Sequence, residues 1–362
     1  MLRKLTALSA SLALLLSLTS CGGAPTTPPD IAILPTEPSS GTTTAPKDGE
    51  FEIHFIDVGQ ADSALVACDG HYMLIDGGNA EDSDLIYSYL ETHGVKHLDY
   101  MIATHAHEDH IGGLSGALTY ATVDVAYSPV TEGTTKVFKN MVENLKAQGK
   151  KLTVPNAGQS FSLGSADVTI LGPLKEYRDT NDTSIVLRVD YGETSFLFTG
   201  DMETGPEKDL VEAGLNLDAD VLKVGHHGSD SSSSYLFLRE VTPDYAVISV
   251  GEGNKYNHPQ TEILERLRDV EAELYRTDLQ GTIIASSDGE TITFTTERKA
   301  DTTIMNPTIT IKEQYIGNIK SKKFHRPDCS SAEDIEPENQ TIFESRPDAV
   351  KAGYDPCGRC KP

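Results

Sequence analysis

The ten residues "THAHEDHIGG" at positions 104–113 bring His105, His107, Asp109 and His110 together at the end of the apolar run "LDYMIATH". That run reads as a buried strand, and Gly112-Gly113 opens the next helix. At a strand-to-turn-to-helix junction His105 and His107 point the same way, because side chains alternate with period two, and Asp109 and His110 aim at a neighbouring point. One short loop thus offers two adjacent metal positions, His105 with His107 and Asp109 with His110. Imidazole and carboxylate together suit zinc, with iron and manganese as alternatives.

The 362 residues, 38% of them hydrophobic, suffice for one large domain and a small one. From Phe51 the runs "FEIHFIDVG" and "SALVACDGHYMLIDGG" read as strands, the second run being a hairpin around Asp69-Gly70. The runs "SFSLGSADVTILGP" and "TSIVLRVDYGETSFLFTGD" read as further paired strands. Helices are expected over residues 81–93, 133–148, 204–213, 233–240 and 260–269, alternating in the second half with the strands "ADVLKVGHHGS" and "DYAVISVG". Hairpins followed by alternating units in each half predict two sheets packed face to face with helices outside, over residues 51–298. Residues 299–314 break this pattern as a linker, and residues 315–362 form a small separate module.

Residues 1–21, "MLRKLTALSASLALLLSLTSC", have the basic-then-apolar order of a secretory signal, with an apolar stretch too short to span a bilayer comfortably. Leu18-Thr19-Ser20-Cys21 resembles a bacterial lipobox, which implies cleavage before Cys21, lipidation of that residue and an extracytoplasmic protein anchored to the cell membrane. Residues 22–50, rich in Gly, Pro, Ser and Thr, cannot bury a core and read as a disordered tether. The whole chain has a net charge of −25; without the two bases of residues 1–21, 28 bases face 55 acids and the charge is −27. Such a surface repels nucleic acid at long range, so a polyanionic substrate needs metals or a local basic patch. Five cysteines are too few for a disulfide-stapled scaffold. Cys21 belongs to the lipobox, Cys68 lies in an apolar run, and Cys329, Cys357 and Cys360 cluster near the C-terminus. No protein partner is indicated.

Several motifs follow one another in order: "DVGQADS" (57–63), "LIDGG" (74–78), "THAHEDHIGG", "NDTSIVLRV" (181–189), "FTGD" (198–201), "LKVGHHGS" (222–229), "NKYNHP" (254–259) and "YRTDLQGTI" (275–283). With them the chain resembles the metallo-β-lactamase superfamily, and within it the ComEC-type branch, which comprises the nuclease-like domain of DNA-uptake proteins and related phosphorylcholine esterases. The resemblance implies an αβ/βα sandwich with a dinuclear site at the edge between its two sheets, holding two divalent ions, zinc or manganese. It implies that Asp201 bridges both ions, that a metal-bound hydroxide attacks the substrate, and that Asp76 orients a ligand histidine from behind. Asp57 either does the same or supports its loop.

His226 and His227 are adjacent at a strand end and should point apart, so one is expected as a ligand. The other would bind phosphate or protonate the leaving oxygen, and His258 is a third candidate for either role. Asp109 counts both as a ligand and as a catalytic group. Many superfamily members place a further metal-binding histidine where this chain has Asn181-Asp182-Thr183-Ser184, a departure shared with the ComEC-type branch, and Asn181 is expected behind the ligands rather than among them. The departure leaves the first metal position more open, and a one-metal enzyme stands as the alternative to a two-metal one.

At the C-terminus His325-x-x-x-Cys329 and Cys357-x-x-Cys360 have the spacing of a Cys₃His zinc knuckle. The tail resembles the metal-binding domain of the Ada type, in which a Cys stands where this chain has His325. One zinc ion there would replace the core that so short a tail cannot build, and a disulfide between two of the cysteines is the alternative. With eight bases against eight acids, residues 315–362 are the part of the chain friendlier to nucleic acid. Together these readings predict a lipid-anchored metal-dependent hydrolase of phosphodiesters, with DNA as the first substrate. Phosphorylcholine or small phosphoesters, and a non-catalytic surface-binding protein with a structural metal site, are the alternatives.

Overall fold

The computed structural model describes residues 51–300 and 314–362. The expected signal peptide (1–21) with Cys21, the tether (22–50) and residues 301–313 of the expected linker lie outside the described residues. Among the described residues no helix is long and apolar enough to cross a membrane.

The chain first lays down β1 (Phe51–Phe55), β2 (Ala64–Cys68), β3 (His71–Ile75), β4 (His97–Ile102), β5 (Thr122–Tyr127) and β6 (Leu152–Thr153). A second sheet follows, made of β7 (Ser160–Leu163), β8 (Ala166–Gly172), β9 (Val186–Tyr191), β10 (Thr194–Phe198), β11 (Val221–Lys223), β12 (Tyr245–Ile248) and β13 (Glu273–Arg276). The strands β14 (Ile283–Ser287) and β15 (Ile292–Thr296) then return to the first sheet. The strand orders are β15-β14-β1-β2-β3-β4-β5-β6 and β13-β12-β11-β10-β9-β8-β7.

Each sheet is antiparallel in one half and parallel in the other, from β3 to β6 and from β10 to β13. Asp69 and Gly70 both have positive φ, 55° and 79°, which is what a two-residue hairpin turn between β2 and β3 requires. The parallel connections need crossovers. These are made by α1 (Ser83–Thr92), α2 (Glu108–Ile111), α3 (Leu114–Tyr120), α4 (Lys136–Ala147), α5 (Thr204–Glu212), α6 (Tyr235–Val241) and α7 (Thr261–Asp269).

Strand alternation explains the layers. In β10, Phe196 and Phe198 face the core shared by the two sheets, and Leu197 between them faces the helices with Leu210, Phe237 and Ile263. In β2, Val66 faces the shared core and Leu65 meets Ile86, Leu90 and Leu114. Two sheets back to back with helices on both outer faces make the expected αβ/βα sandwich.

Residues 315–362 form a four-stranded sheet, in the order β18 (Gln340–Phe343), β16 (Tyr315–Asn318), β17 (Lys323–His325) and β19 (Asp355–Pro356). Its core is small: Phe324, Ala349, Val350 and Tyr354. This module is clamped to the sandwich by charge. Arg346 donates to Asp269 Oδ2 at 2.8 Å, and the Asp269 carboxylate, fully buried at the end of α7, also accepts from Tyr235 Oη at 2.5 Å. Arg239 of α6 donates to the carbonyls of Val350 and Tyr354 and to the Asp355 carboxylate.

Candidate metal centre

The carboxyl ends of the parallel strands converge at one edge, the usual place for a site in such sheets. There β3 runs into Asp76, β4 into the loop carrying His105 and His107, β10 into Asp201, β11 into His226 and His227, and β12 into residues 249–259. Backbone bonds tie the loop down: Asp62 N donates to Asp109 O at 3.0 Å, and Gly77 N to His110 O at 2.7 Å. Asp109 and His110 stand on α2, whose first turn follows His107 at once. Close packing demands glycine at Gly200, where φ is +53° and a Cβ would meet Ser184 Oγ at 2.8 Å.

Asp201 is the hub. Its Oδ2 lies 3.2 Å from His110 Nε2, 3.7 Å from both His226 Nε2 and His227 Nε2, and 3.8 Å from His105 Nε2. His227 Nε2 is also 3.4 Å from Asp109 Oδ2. The ligand atoms of Asp109, His110, Asp201 and His227 all lie within 4.8 Å of one another. His107 Nδ1 stands 3.1 Å from His105 Nε2, so the first pair is contiguous with this cluster.

Three atoms in the middle, His110 Nε2, His227 Nε2 and Asp201 Oδ1, are buried with no hydrogen-bond partner. Each such atom costs about 1–3 kcal/mol when unsatisfied. Unpartnered nitrogen and oxygen atoms of residues whose ligand atoms lie within 4.8 Å of one another fit a divalent cation, which would satisfy them.

Behind this ring, carboxylates fix the imidazoles. Asp76 Oδ2 accepts from His110 Nδ1 at 2.8 Å and from Thr104 Oγ1 at 2.6 Å, while its Oδ1 accepts from Thr104 N at 2.8 Å. These bonds hold Asp76 in the left-handed region at φ 57°. The orienting role expected of Asp76 thus falls on His110. Sequence reasoning missed the counterpart at His227: its Nδ1 donates to the Ser249 carbonyl at 3.1 Å, and the Asp62 carboxylate lies 3.2 Å away as an ion-pair partner. Asp62 is held in turn by the buried Lys223, 2.8 Å from its Oδ2. The signal was a lone Lys in the apolar run "VLKVG", since a buried ammonium requires a partner.

One expectation needs correction, and one open choice is decided. The strand β11 ends at Lys223, so His226 and His227 do not alternate across it. Both sit in a left-handed turn, at φ 50° and 52°, which curls the two rings toward Asp201 instead of apart. Asp57 is the loop support of its two readings: it accepts from Gly59 N at 3.2 Å and from Arg298 at 3.0 Å, and reaches no histidine.

Asn181 lies in the short turn Asn181–Thr183, donating to Glu203 Oε1 at 3.4 Å, with its buried Oδ1 unpartnered. Beside it Ser184 Oγ is 3.4 Å from His105 Nδ1. His258 is set back, its ring 5.8 Å from that of His226.

The charges sort accordingly. Burial opposes ionisation of Asp201, but the charges on His110 and His227 outweigh it and hold the carboxyl well below its ordinary range. Burial likewise opposes protonation of His227, yet Asp201 and Asp62 push it up to about 10. His105 is kept well below its ordinary value by burial and by the charge of His110. Burial also pulls His258 down to about 4, aided by His227 and His226.

In the small module His325, Cys329, Cys357 and Cys360 also place one ligand atom each within 4.8 Å of the others. Their cysteines are free thiols rather than a disulfide. Burial opposes ionisation of Cys329, but hydrogen bonds led by the Ser331 backbone and Cys360 lower its value, which favours the thiolate that a metal needs.

Comparison with known proteins agrees with this geometry. Residues 56–252 match the profile of the Metallo-beta-lactamase superfamily, and residues 310–362 that of the Metal binding domain of Ada. ComE operon protein 3 of Bacillus subtilis (strain 168) is 30% identical over 253 residues, covering 65% of this chain and 33% of its own. Competence protein ComA of Neisseria gonorrhoeae is 33% identical over 241 residues, covering 65% and 32%. The chain therefore spans about a third of the length of these relatives. The solved structure of the metallo-beta-lactamase fold protein YhfI from Bacillus subtilis aligns with 66% of this chain and 100% of its own, at TM-score 0.44 and 15% identity. With more than half of its length matched, this chain belongs to the metallo-β-lactamase superfamily, is related to the ComE operon and competence proteins, and ends in an Ada-type metal-binding domain.

Proposed function

We propose that the chain is an extracytoplasmic phosphodiesterase acting on DNA, anchored to the membrane through a lipid on Cys21. The observation that carries the reading is the gathering of four imidazole Nε2 atoms within 3.8 Å of Asp201 Oδ2, those of His110 and His227 being buried without a hydrogen-bond partner. His105, His107, Asp109, His110, Asp201 and His227 would hold two divalent cations, zinc or manganese, and the Cys₃His cluster one zinc. Bound cations would supply an activated water and neutralise charge on the phosphoryl oxygens.

The protein's own groups do the rest. Asp76 and the Ser249 carbonyl fix the tautomers of His110 and His227, leaving each Nε2 to face the centre. His227 is buried and held at Nδ1, as befits a ligand, whereas the His226 side chain is 22% exposed with Glu203 Oε1 3.4 Å behind it. Ser231 Oγ, 3.3 Å from Nδ1, and Glu203 hold that ring with Nε2 toward the centre, which assigns His226 as the proton donor to the leaving oxygen. His258, neutral above about pH 4, offers a hydrogen bond rather than a charge. DNA is favoured as substrate because relatives at 30% and 33% identity are named for the ComE operon and for competence. The net charge of −27 outside the signal favours a smaller phosphoester, such as a phosphorylcholine ester, as the second reading.

The test incubates the full chain, with zinc or manganese, with single-stranded DNA, duplex DNA, bis-p-nitrophenyl phosphate and a phosphorylcholine ester. Metal-dependent cleavage of DNA and of the chromogenic diester, lost in His107→Ala, is the expected result. No turnover of any phosphoester, with His107→Ala indistinguishable from wild type, sinks the enzyme reading. Cleavage of small esters alone moves the assignment to the second reading.

A further inference from the structure

The motif "NKYNHP" has no part in the centre described above except through His258, yet its loop is built with care. Asn254 pins it from within: Nδ2 donates to the carbonyls of Gly251 and His258 at 2.9 and 2.6 Å, and Oδ1 accepts from the backbone N–H groups of Tyr256 and His258 at 3.1 and 3.0 Å. Gln60 ties the loop to the first sheet, accepting from Gly251 N at 3.1 Å. Gly251 packs so closely there that a Cβ would meet Gln60 N at 2.6 Å.

This rigid loop holds up a large aromatic ring that the fold does not bury. Tyr256 is 51% exposed. One face stacks on His258 at 5.6 Å and 27° between planes, and the Lys255 ammonium lies 4.9 Å from the ring centre. Two ring-to-ring steps, 5.6 and 5.8 Å, separate Tyr256 from His226 and hence from Asp201.

We propose that Tyr256, flanked by Lys255, is a stacking platform for the base of an unpaired nucleotide whose phosphate lies at the metal centre. The inference rests on the phosphodiesterase reading and narrows its substrate to single strands or frayed ends, because a paired base keeps its faces inside the duplex. A chain carrying −27 outside its signal cannot gather a polyanion by long-range attraction. Affinity must come from short-range contacts, and aromatic stacking is the one available to any base.

The test measures binding of a short fluorescein-labelled single strand, and of the same strand with abasic sites, to the full chain by anisotropy, with diester turnover followed in parallel. Expected is that Tyr256→Ala weakens binding of the base-bearing strand about tenfold, leaves the abasic strand within about twofold, and that Tyr256→Phe behaves as wild type. Equal binding of both strands by wild type, binding of neither, or no effect of Tyr256→Ala overturns the platform. A loss confined to phosphorylcholine ester hydrolysis also overturns it, since an aromatic ring holds a quaternary ammonium equally well. If the strands are discriminated but no phosphodiester is turned over, the platform stands and the phosphodiesterase reading falls. Turnover without discrimination overturns the platform alone.

Discussion

Replacing Lys223 by Met isolates the role of the buried ion pair beneath the centre. The ammonium lies 2.8 Å from Asp62 Oδ2, with side-chain exposures of 5% and 7%. At an effective dielectric of about 20 the pair attracts by about 6 kcal/mol, from which the cost of desolvating both ions is subtracted. Removing Lys223 leaves Asp62 with His227 as its remaining cationic neighbour, and removing Asp62 strands the ammonium; breaking a buried pair in this way typically costs about 3–5 kcal/mol. At about 2–4 °C per kcal/mol for a domain of this size, the melting temperature should fall by about 6–20 °C.

The assay is thermal unfolding followed by circular dichroism, on metal-free protein, for wild type, Lys223→Met, Asp62→Asn and the double variant. The double variant should recover more than half of the loss, because neither charge is then stranded. Asp62 is also the ion-pair partner of His227, so Asp62→Asn should lower metal affinity about 10–100-fold where Lys223→Met lowers it less. A melting temperature for Lys223→Met within about 2 °C of wild type, or a double variant as unstable as the sum of the singles, refutes the reasoning.

Asp76→Asn keeps the shape but weakens the carboxylate bond to His110, and should cost about 10–100-fold in metal affinity by competition with a chromophoric chelator. Glu207 is buried, accepts from the backbone N–H groups of Ser233 and Ser234, and is pushed up to about 7 by that burial. The folded state therefore keeps a proton that the unfolded chain releases above about pH 4.5, so stability falls as pH rises from there to about 7 and then levels off, by at most about 3 kcal/mol. Denaturant melts across that range should show this slope flattened in Glu207→Gln. Gly200→Ala, forced into φ +53° against Ser184, should destabilise by about 1–3 kcal/mol in the same melts.

The layers and the metal loop were legible because both rest on local pattern. Alternation in "TSFLFTGD" assigns Phe196 and Leu197 to opposite faces, and the period of the hexad sets His105 beside His107. The helix expected over residues 133–148 is found as Lys136–Ala147, where Thr135 caps the first turn. What escaped depends on long-range packing or on positive φ. Asp62 meets Lys223 across 161 positions, and no local rule links "ADS" to "VLKVG". The rings of His226 and His227 converge only because both residues take the left-handed conformation, which costs non-glycine residues energy and which period-two reasoning cannot foresee. The clamp of Arg346 on Asp269, 77 positions apart, was equally out of reach.

In the proposed reading Asp201 would hold two cations and the Cys₃His module a third. Metal equivalents per chain, measured by plasma mass spectrometry after dialysis, test it most directly. Three are predicted for wild type, two for Cys357→Ser, and one for Asp201→Asn, because both cations of that centre would depend on this carboxylate. Retention of all three by Asp201→Asn, or a wild-type count of one that disappears with Cys357→Ser, would contradict the account.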